Sequence, residues 1–331
     1  MIEVWSYREG ADAPVSITLD SMPTPSTEQV VWIECEEPSV ADIDRLGELL
    51  GLHEFVVEDL RNAGQRTKLD HYSDHFHVAV HDCEYRGDDL LTREIDIVFG
   101  EGWILTARQP SEEDVGEPLD FPLGIVKRRF EAQRLQHGTT DEGFLLWSML
   151  DVIVDRYFEV ADAIDVRLDD VEAVILDERI DHLRSDHARE LFDVGKALLE
   201  FRRWALPLRE VVGQLQRGEA PCIGTAALAH YQDLFDHVLR VADVLDAQRE
   251  VVTGLRDADL AVTSNQMSAV QQKIAAWGAI LLVATLLTGL LGMNFRNAPE
   301  LDWEEGFAII LAISVLVGAP LYLYFKRKHW L

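Results

Sequence analysis

At 331 residues the chain has room for one sizeable folded domain and a membrane-embedded part. Its 59 acidic residues outweigh 30 basic ones, for a formal net charge of −29, which argues against a nucleic-acid partner, since such binding uses basic faces. Cys35, Cys83 and Cys222 are far apart and odd in number; they form no metal-ligand spacing and suggest a reducing compartment. The acidic surplus either attracts divalent cations or is a solvated face of a salt-adapted protein, and the two readings are compatible.

The opening MIEVWSYREGADAP has neither a basic nor an apolar stretch, so no cleaved leader is expected. Residues 1–140 read as an α/β domain. Ile2–Trp5 and Val30–Ile33 are predicted strands. Ser39, with Asp42 three residues on, opens a helix carrying Ile43, Leu46, Leu49 and Leu50. A short helix is expected from His53 to Asn62, then strands at His75–Tyr85, Arg93–Phe99 and Trp103–Ala107. Gly87-Asp88-Asp89 and Gly100-Glu101-Gly102 look like the turns between them. His71, His75, His77 and His81 invite a metal site, because zinc takes imidazole clusters. Strand alternation puts His75, His77 and His81 on one face and Phe76, Val78 and Val80 on the other. Without further ligands nearby, the histidines read as the polar face of a half-buried strand.

From about Ser111 the chain turns helical. Residues 141–222 are expected to be paired helices, the first with Leu145, Met149, Val152, Ile153, Tyr157, Val160, Ile164, Leu168 and Val171 at helical spacing. The second runs from Asp181 to Gln216 with a kink at Pro207, and Gly218–Gly224 breaks the pattern. Residues 223–273 form a stalk helix, continuous with the span that follows. Its apolar face holds Tyr231, Leu234, Val238, Val241, Leu245, Val252 and Leu255. A helix of about 65 residues reaches roughly 100 Å and needs neighbours, which bundling around an axis would supply.

Residues 274–295 and 306–325 carry no charge, and each run of about 20 residues spans a hydrocarbon core as a helix. The ten-residue loop 296–305 is too short for a domain, so the two spans form a hairpin. Lys273 and the basic tail 326–331 place both termini on the cytoplasmic side of a cell membrane and the loop outside. On the first span Gln271, Ile274, Gly278, Leu282 and Thr285 share one helix face, a candidate pore lining with a polar ring at Thr285 and apolar constrictions at Leu282 and Ile274. At its outer end stands Gly292-Met293-Asn294. A ring of Asn amides and Gly carbonyls offers neutral oxygens to a hydrated Mg2+; the tripeptide alone is equally a helix terminator. An ideal helix would not put Asn294 on the pore face, so the helix must loosen near Gly289 or Gly292. Loop residues Glu300, Asp302, Glu304 and Glu305 would attract cations.

The hairpin resembles the CorA family of divalent-cation transport proteins. The resemblance rests on Gly292-Met293-Asn294 with Phe295 behind it, Pro299-Glu300-Leu301 in the loop, and the basic end closed by Trp330-Leu331. Gln232-Asp233-Leu234-Phe235-Asp236-His237-Val238 also resembles the family's stalk, and Pro207–Glu210 and the stretch from Val57 to Tyr72 are similar more loosely. Departures are Leu291 for the usual Tyr, Ala298 for Met, the missing Pro in the first span, Gln271 for Met and Ser268 for Asn. The resemblance implies an α+β cytoplasmic domain joined to a long stalk helix and a C-terminal two-helix transmembrane hairpin, assembled as a homopentameric funnel in lipid. It implies Gly292, Met293 and Asn294 as selectivity filter. It also implies regulatory Mg2+ at Asp233 and Asp257, with Asp88 or Asp89 as partner carboxylate.

The expected function is therefore Mg2+ transport, with cobalt or nickel as further cargo, driven by membrane potential and closed by intracellular Mg2+. Alternatives are a zinc or other divalent-metal transporter of the same fold, or a membrane-tethered metal sensor without flux. No nucleotide-binding loop, Gly-x-Ser-x-Gly or His-Glu-x-x-His motif is present, so neither an enzyme nor an organic cofactor is expected.

Overall fold

Runs rich in Val, Ile and aromatic residues pair into a seven-stranded sheet of order β2-β1-β3-β7-β6-β5-β4. The strands are β1 (Ile2–Arg8), β2 (Val15–Ile17), β3 (Gln29–Glu36), β4 (Lys68–His71), β5 (His75–Arg86), β6 (Asp89–Gly100) and β7 (Trp103–Arg108). Only β3 and β7 pair in parallel; the other neighbours are antiparallel. The computed structural model describes residues 1–11, 13–23, 26, 29–87, 89–108, 119–138, 140–177, 187–291, 306–328 and 330.

Helices α1 (Val40–Leu50) and α2 (Glu54–Arg61) cover one face of the sheet. Ile43, Leu46, Val56 and Leu60 close a core with Val31, Ile33, Val98 and Leu105. The expected cap is present: the Ser39 hydroxyl accepts from Asp42 N–H while Ser39 N–H donates to the Asp42 carboxylate at 3.0 Å, an arrangement worth about 1 kcal/mol. Gly47 lets α1 and α2 approach, because a Cβ there would stand 2.8 Å from a Val57 methyl. The opposite face is covered by α3 (Leu123–His137) and α4 (Glu142–Leu176). Tyr7 meets Phe130 edge to face at 4.9 Å, and the Tyr157 hydroxyl donates to the His81 carbonyl at 2.6 Å. The β6–β7 turn needs Gly102, whose φ is +76° and whose missing Cβ would collide with the Ser26 carbonyl.

Several expectations need correction. The strand at His75 is not half-buried: His75, His77 and His81 are all enclosed, because the sheet is covered on both faces. Strand β2 (Val-Ser-Ile) alternates but is only three residues long, and the charged β4 (Lys-Leu-Asp-His) has a single apolar residue between two charges, so neither was expected. Strand β6 starts at Asp89, which therefore pairs with Arg86 instead of lying in a loop. Helix α3 starts at Leu123, later than Ser111, which lies outside the described residues. Pro207 does not kink one helix but separates two, α5 (His187–Ala205) and α6 (Leu208–Gln216). Proline restricts Leu206 and removes an N–H, and its φ of −67° starts the next helix.

Helix α7 runs unbroken for 67 residues, Thr225–Leu291, and α8 covers Gly306–Arg327. The chain divides into two units. One is Met1–Ala173 with Arg189–Gly254, and the other is Val174–Ala188 with Leu255–Leu331. In the first unit, Tyr231, Leu234, Val238, Val241 and Leu245 of α7 are buried, as their spacing predicts. The Tyr231 hydroxyl donates to the Gly143 carbonyl at 2.8 Å, and Gln248 Nε2 donates to the Ala161 carbonyl at 2.7 Å, both on α4. In the second unit, Trp277 of α7 lies 6.3 Å, ring to ring, from Tyr322 of α8, and Asp259 is paired with His187.

Candidate ion pathway and carboxylate sites

The second unit's share of α7 has two unlike faces. Ala276 is buried, and Ala279, Ile280, Val283, Ala284 and Leu287 are half-covered. Gln271, Ile274, Gly278, Leu282 and Thr285 are all exposed, with Ile274 and Leu282 each 67% open. The five residues grouped by spacing thus share one uncovered face of a single chain. Thr285 donates its hydroxyl hydrogen to the Leu281 carbonyl at 2.8 Å, which leaves oxygen lone pairs turned away from the helix. Thr288 repeats this with the Ala284 carbonyl at 3.0 Å and is equally exposed. Sequence reasoning passed over Thr288, although a second hydroxyl three residues on in an apolar run was a visible signal.

Of the residues given regulatory or filter roles, Asp233 and Asp257 stand exposed on α7, and Asp89 is exposed at the start of β6. Asp233 has His237 one turn away, at 4.0 Å between Oδ2 and Nε2. Gly292, Met293, Asn294, Asp88, Glu300, Asp302, Glu304 and Glu305 lie outside the described residues.

The four histidines do not converge. His71 is exposed and stacks on Phe76 at 4.4 Å. His75 bonds Asp74 through Nδ1 at 2.7 Å and accepts His53 N–H at Nε2. His81 stacks on Trp204 at 3.8 Å; burial and then the Arg203 charge push its pKa down to about 3, so it is neutral. His77 bonds Asp96 through Nε2 at 2.8 Å and faces Asp59 and Asp70. Sequence reasoning missed those acids, because pairing between β4 and β5 and the packing of α2 bring them there.

It also missed an acidic cavity of about 670 Å³, lined in part by Asp74, Glu101, Asp141, Glu142 and Cys222. Asp141 accepts the N–H groups of Gly143 and Gly224, at 2.6 and 3.0 Å, and so ties the start of α4 to the segment before α7. Burial raises the Glu142 pKa to about 7 although its carboxylate accepts from Gly102 N–H.

An α+β domain whose last helix runs on into a long apolar stretch has the build of a membrane protein with a large soluble part. By length and composition, α7 is the one helix among the described residues that passes as a candidate membrane span, and the apolar window within it is only 6% buried. The chain belongs to the family described as CorA-like Mg2+ transporter protein, whose model matches residues 27–327. It is 27% identical to the cobalt/magnesium transport protein CorA of Thermotoga maritima, over the whole of this chain and 92% of that one. It is 28% identical, over 59% of its length and 58% of the relative's, to the zinc transport protein ZntB of Pectobacterium atrosepticum. The complete structure of the CorA magnesium transporter from Methanocaldococcus jannaschii superposes with a TM-score of 0.78 at 19% identity, over 99% of this chain and 98% of that one, a likeness of fold.

Proposed function

We propose that the chain is the subunit of a channel-type transporter of Mg2+, with Co2+ and Ni2+ as further cargo, and not an enzyme. The observation that carries this is the uncovered face of α7 from Gln271 to Thr285, in a member of a family described by Mg2+ transport. In a symmetric ring of copies, that face would line an axial path. A homopentamer in a lipid bilayer, with both chain ends on the cytoplasmic side, is the assembly this reading takes. Residues 1–140 and 141–222 form its soluble part, 223–273 the stalk, 274–295 and 306–325 the spans.

In this mechanism hydrated Mg2+ is the substrate. It gathers at Glu300, Asp302, Glu304 and Glu305 and docks on Asn294 amides and Gly292 carbonyls. It then passes Thr288 and Thr285, whose hydroxyl lone pairs can take hydrogen bonds from its water shell. Leu282 and Ile274 form the apolar constrictions. The field drives the ion inward, at about 2.3 kcal/mol per charge per 100 mV. Inside, Asp233, with Asp88 or Asp89 of a neighbouring copy as its partner, would hold regulatory Mg2+, and Asp257, about 36 Å further along α7, would take part in a separate site; the ion would favour the closed state by binding that state better.

The test is Mg2+ uptake into proteoliposomes with and without a negative-inside potential. Uptake should saturate and rise with potential. Asn294→Ala should lose most of it, and Asp233→Ala should lose inhibition by Mg2+ on the inner side. No flux through inserted, folded protein would leave a membrane-tethered sensor. The zinc-transporting relative gives a second cargo reading, decided by the same assay with Zn2+ competing against Mg2+.

A further inference from the structure

We propose that Asp59, Asp70 and His77 form a binding site, within one α+β domain, for a divalent transition metal of the Zn2+ and Co2+ class. Their ligand atoms lie within 4.8 Å of one another. The fold builds this grouping from three elements. Asp70 on β4 is in register opposite His77 on β5, so both side chains share a sheet face. Helix α2 lays Asp59 over that face, with Oδ2 3.7 Å from His77 Nδ1.

The imidazole itself points to a ligand. His77 is fully enclosed, at 0% exposure. Its Nε2 is held by Asp96 Oδ1 at 2.8 Å, and Asp96 is also fully enclosed. With Nε2–H donating to that carboxylate, Nδ1 carries a lone pair. That Nδ1 has no hydrogen-bond partner among the described residues and faces the two acids. A buried nitrogen left so is costly, because it has given up its hydration with no bond in exchange. A carboxylate that fixes the far nitrogen of a histidine, and so aims the near one, is how proteins orient metal-binding imidazoles. One nitrogen and two carboxylate oxygens suit Zn2+ or Co2+, whereas Mg2+ prefers oxygen and keeps its waters.

Lys68 marks the place of the cation. Its ammonium lies 2.8 Å from Asp59 Oδ2 and 2.7 Å from Asp70 Oδ2, bridging the same two acids. The side chain is about one-third exposed, so it can swing out to solvent as the metal enters. Lys68 then acts as an internal competitor that sets the affinity.

Full-length protein in detergent, stripped of metal, is titrated with Co2+ under a saturating excess of Mg2+, which fills all-oxygen carboxylate sites. The readout is the visible absorption of Co2+, which intensifies when protein ligands replace water. One Co2+ per chain should bind and be displaced by Zn2+. His77→Gln should abolish the signal, and Asp96→Asn should weaken binding about 10–100-fold, as loss of an orienting carboxylate does. Lys68→Met should tighten binding by about tenfold or more, since the ammonium no longer fills the site; misfolding cannot produce that gain. Three results would overturn the proposal. They are absence of a signal in the parent protein, a signal that follows His237→Gln instead of His77→Gln, or a Lys68→Met protein that binds no more tightly.

Discussion

Helix α7 is one element with two kinds of surroundings. Before Gly254 it buries Tyr231, Leu234, Val238, Val241 and Leu245 against its own chain. After Leu255 it leaves Leu260, Ile274, Trp277, Leu281, Leu282 and Leu286 more than half exposed. Apolar spacing makes both stretches helical, yet only the first is completed by the fold of a single chain. Exposed apolar area of this extent marks a surface that something else covers. In the proposed assembly, lipid and neighbouring copies do so. The lesson is that periodicity reports which face is apolar, and charge distribution reports which solvent that face meets.

Truncating one leucine in each stretch should separate the two surroundings most widely. Leu234 is wholly enclosed, so Leu234→Ala should cost about 2–5 kcal/mol through lost burial and a residual cavity. Leu282 is 67% open, so Leu282→Ala should alter unfolding by about 0.5 kcal/mol or less in the dispersed chain, and act on flux instead. Denaturant melts of both variants in detergent, beside uptake assays in liposomes, check the pair. Equal loss of stability would mean that Leu282 is buried in the folded state and lines no pathway.

How much was legible depended on the range of the interaction. The α7 stripe and the Ser39–Asp42 cap are local, and both are found where periodicity and spacing put them. The burial of His75, His77 and His81 is not local. Alternation along β5 assigns residues to faces correctly, but the cover on both faces comes from elements distant in sequence. Strand β4 is illegible for a related reason: Lys68 and Asp70 are charged because they face Asp59 and His77, not solvent alone. Pro207 was seen, but whether proline kinks or ends a helix depends on what the next turn packs on. Here Leu208, Val211, Val212 and Leu215 give α6 its own buried face.

A smaller effect should appear where α4, the partner of α7's buried stretch, begins. Burial holds Glu142 protonated in the fold to about pH 7, against an ordinary value of 4.5. Folding then takes up a proton between those values. The stability this group contributes is complete below about pH 4.5 and is lost as pH rises to about 7, by up to about 3 kcal/mol. Burial raises Asp82 and Glu94 to about 7 as well, so the protein's slope has several sources. Glu142→Gln keeps an oxygen for Gly102 N–H and removes the charge. Its stability curve should be flatter across this window and lie above the parent's beyond pH 7. A variant with the parent's full slope would mean that the Glu142 carboxylate is solvated.

The smallest effect concerns Gln248, the polar residue within the buried side of α7. Its Nε2 donates to the Ala161 carbonyl and, at 2.8 Å, to Asp165, while its Oε1 has no hydrogen-bond partner among the described residues. Two effects therefore oppose each other. The donated bonds are worth about 1 kcal/mol each, and the orphaned oxygen costs about as much. Gln248→Leu removes both while filling most of the volume. Because Asp165 is exposed and can turn to water, this variant should stay within about 1 kcal/mol of the parent. Gln248→Ala loses the same bonds and leaves space, so it should be the less stable of the two by about 1–2 kcal/mol. That order, read from chemical denaturation of the full chain, separates filling from hydrogen bonding. If the leucine variant proved as damaged as the alanine one, polar locking and not packed volume would hold α7 to α4. The contrast with its exposed stretch would then rest on specific bonds, which lipid cannot replace.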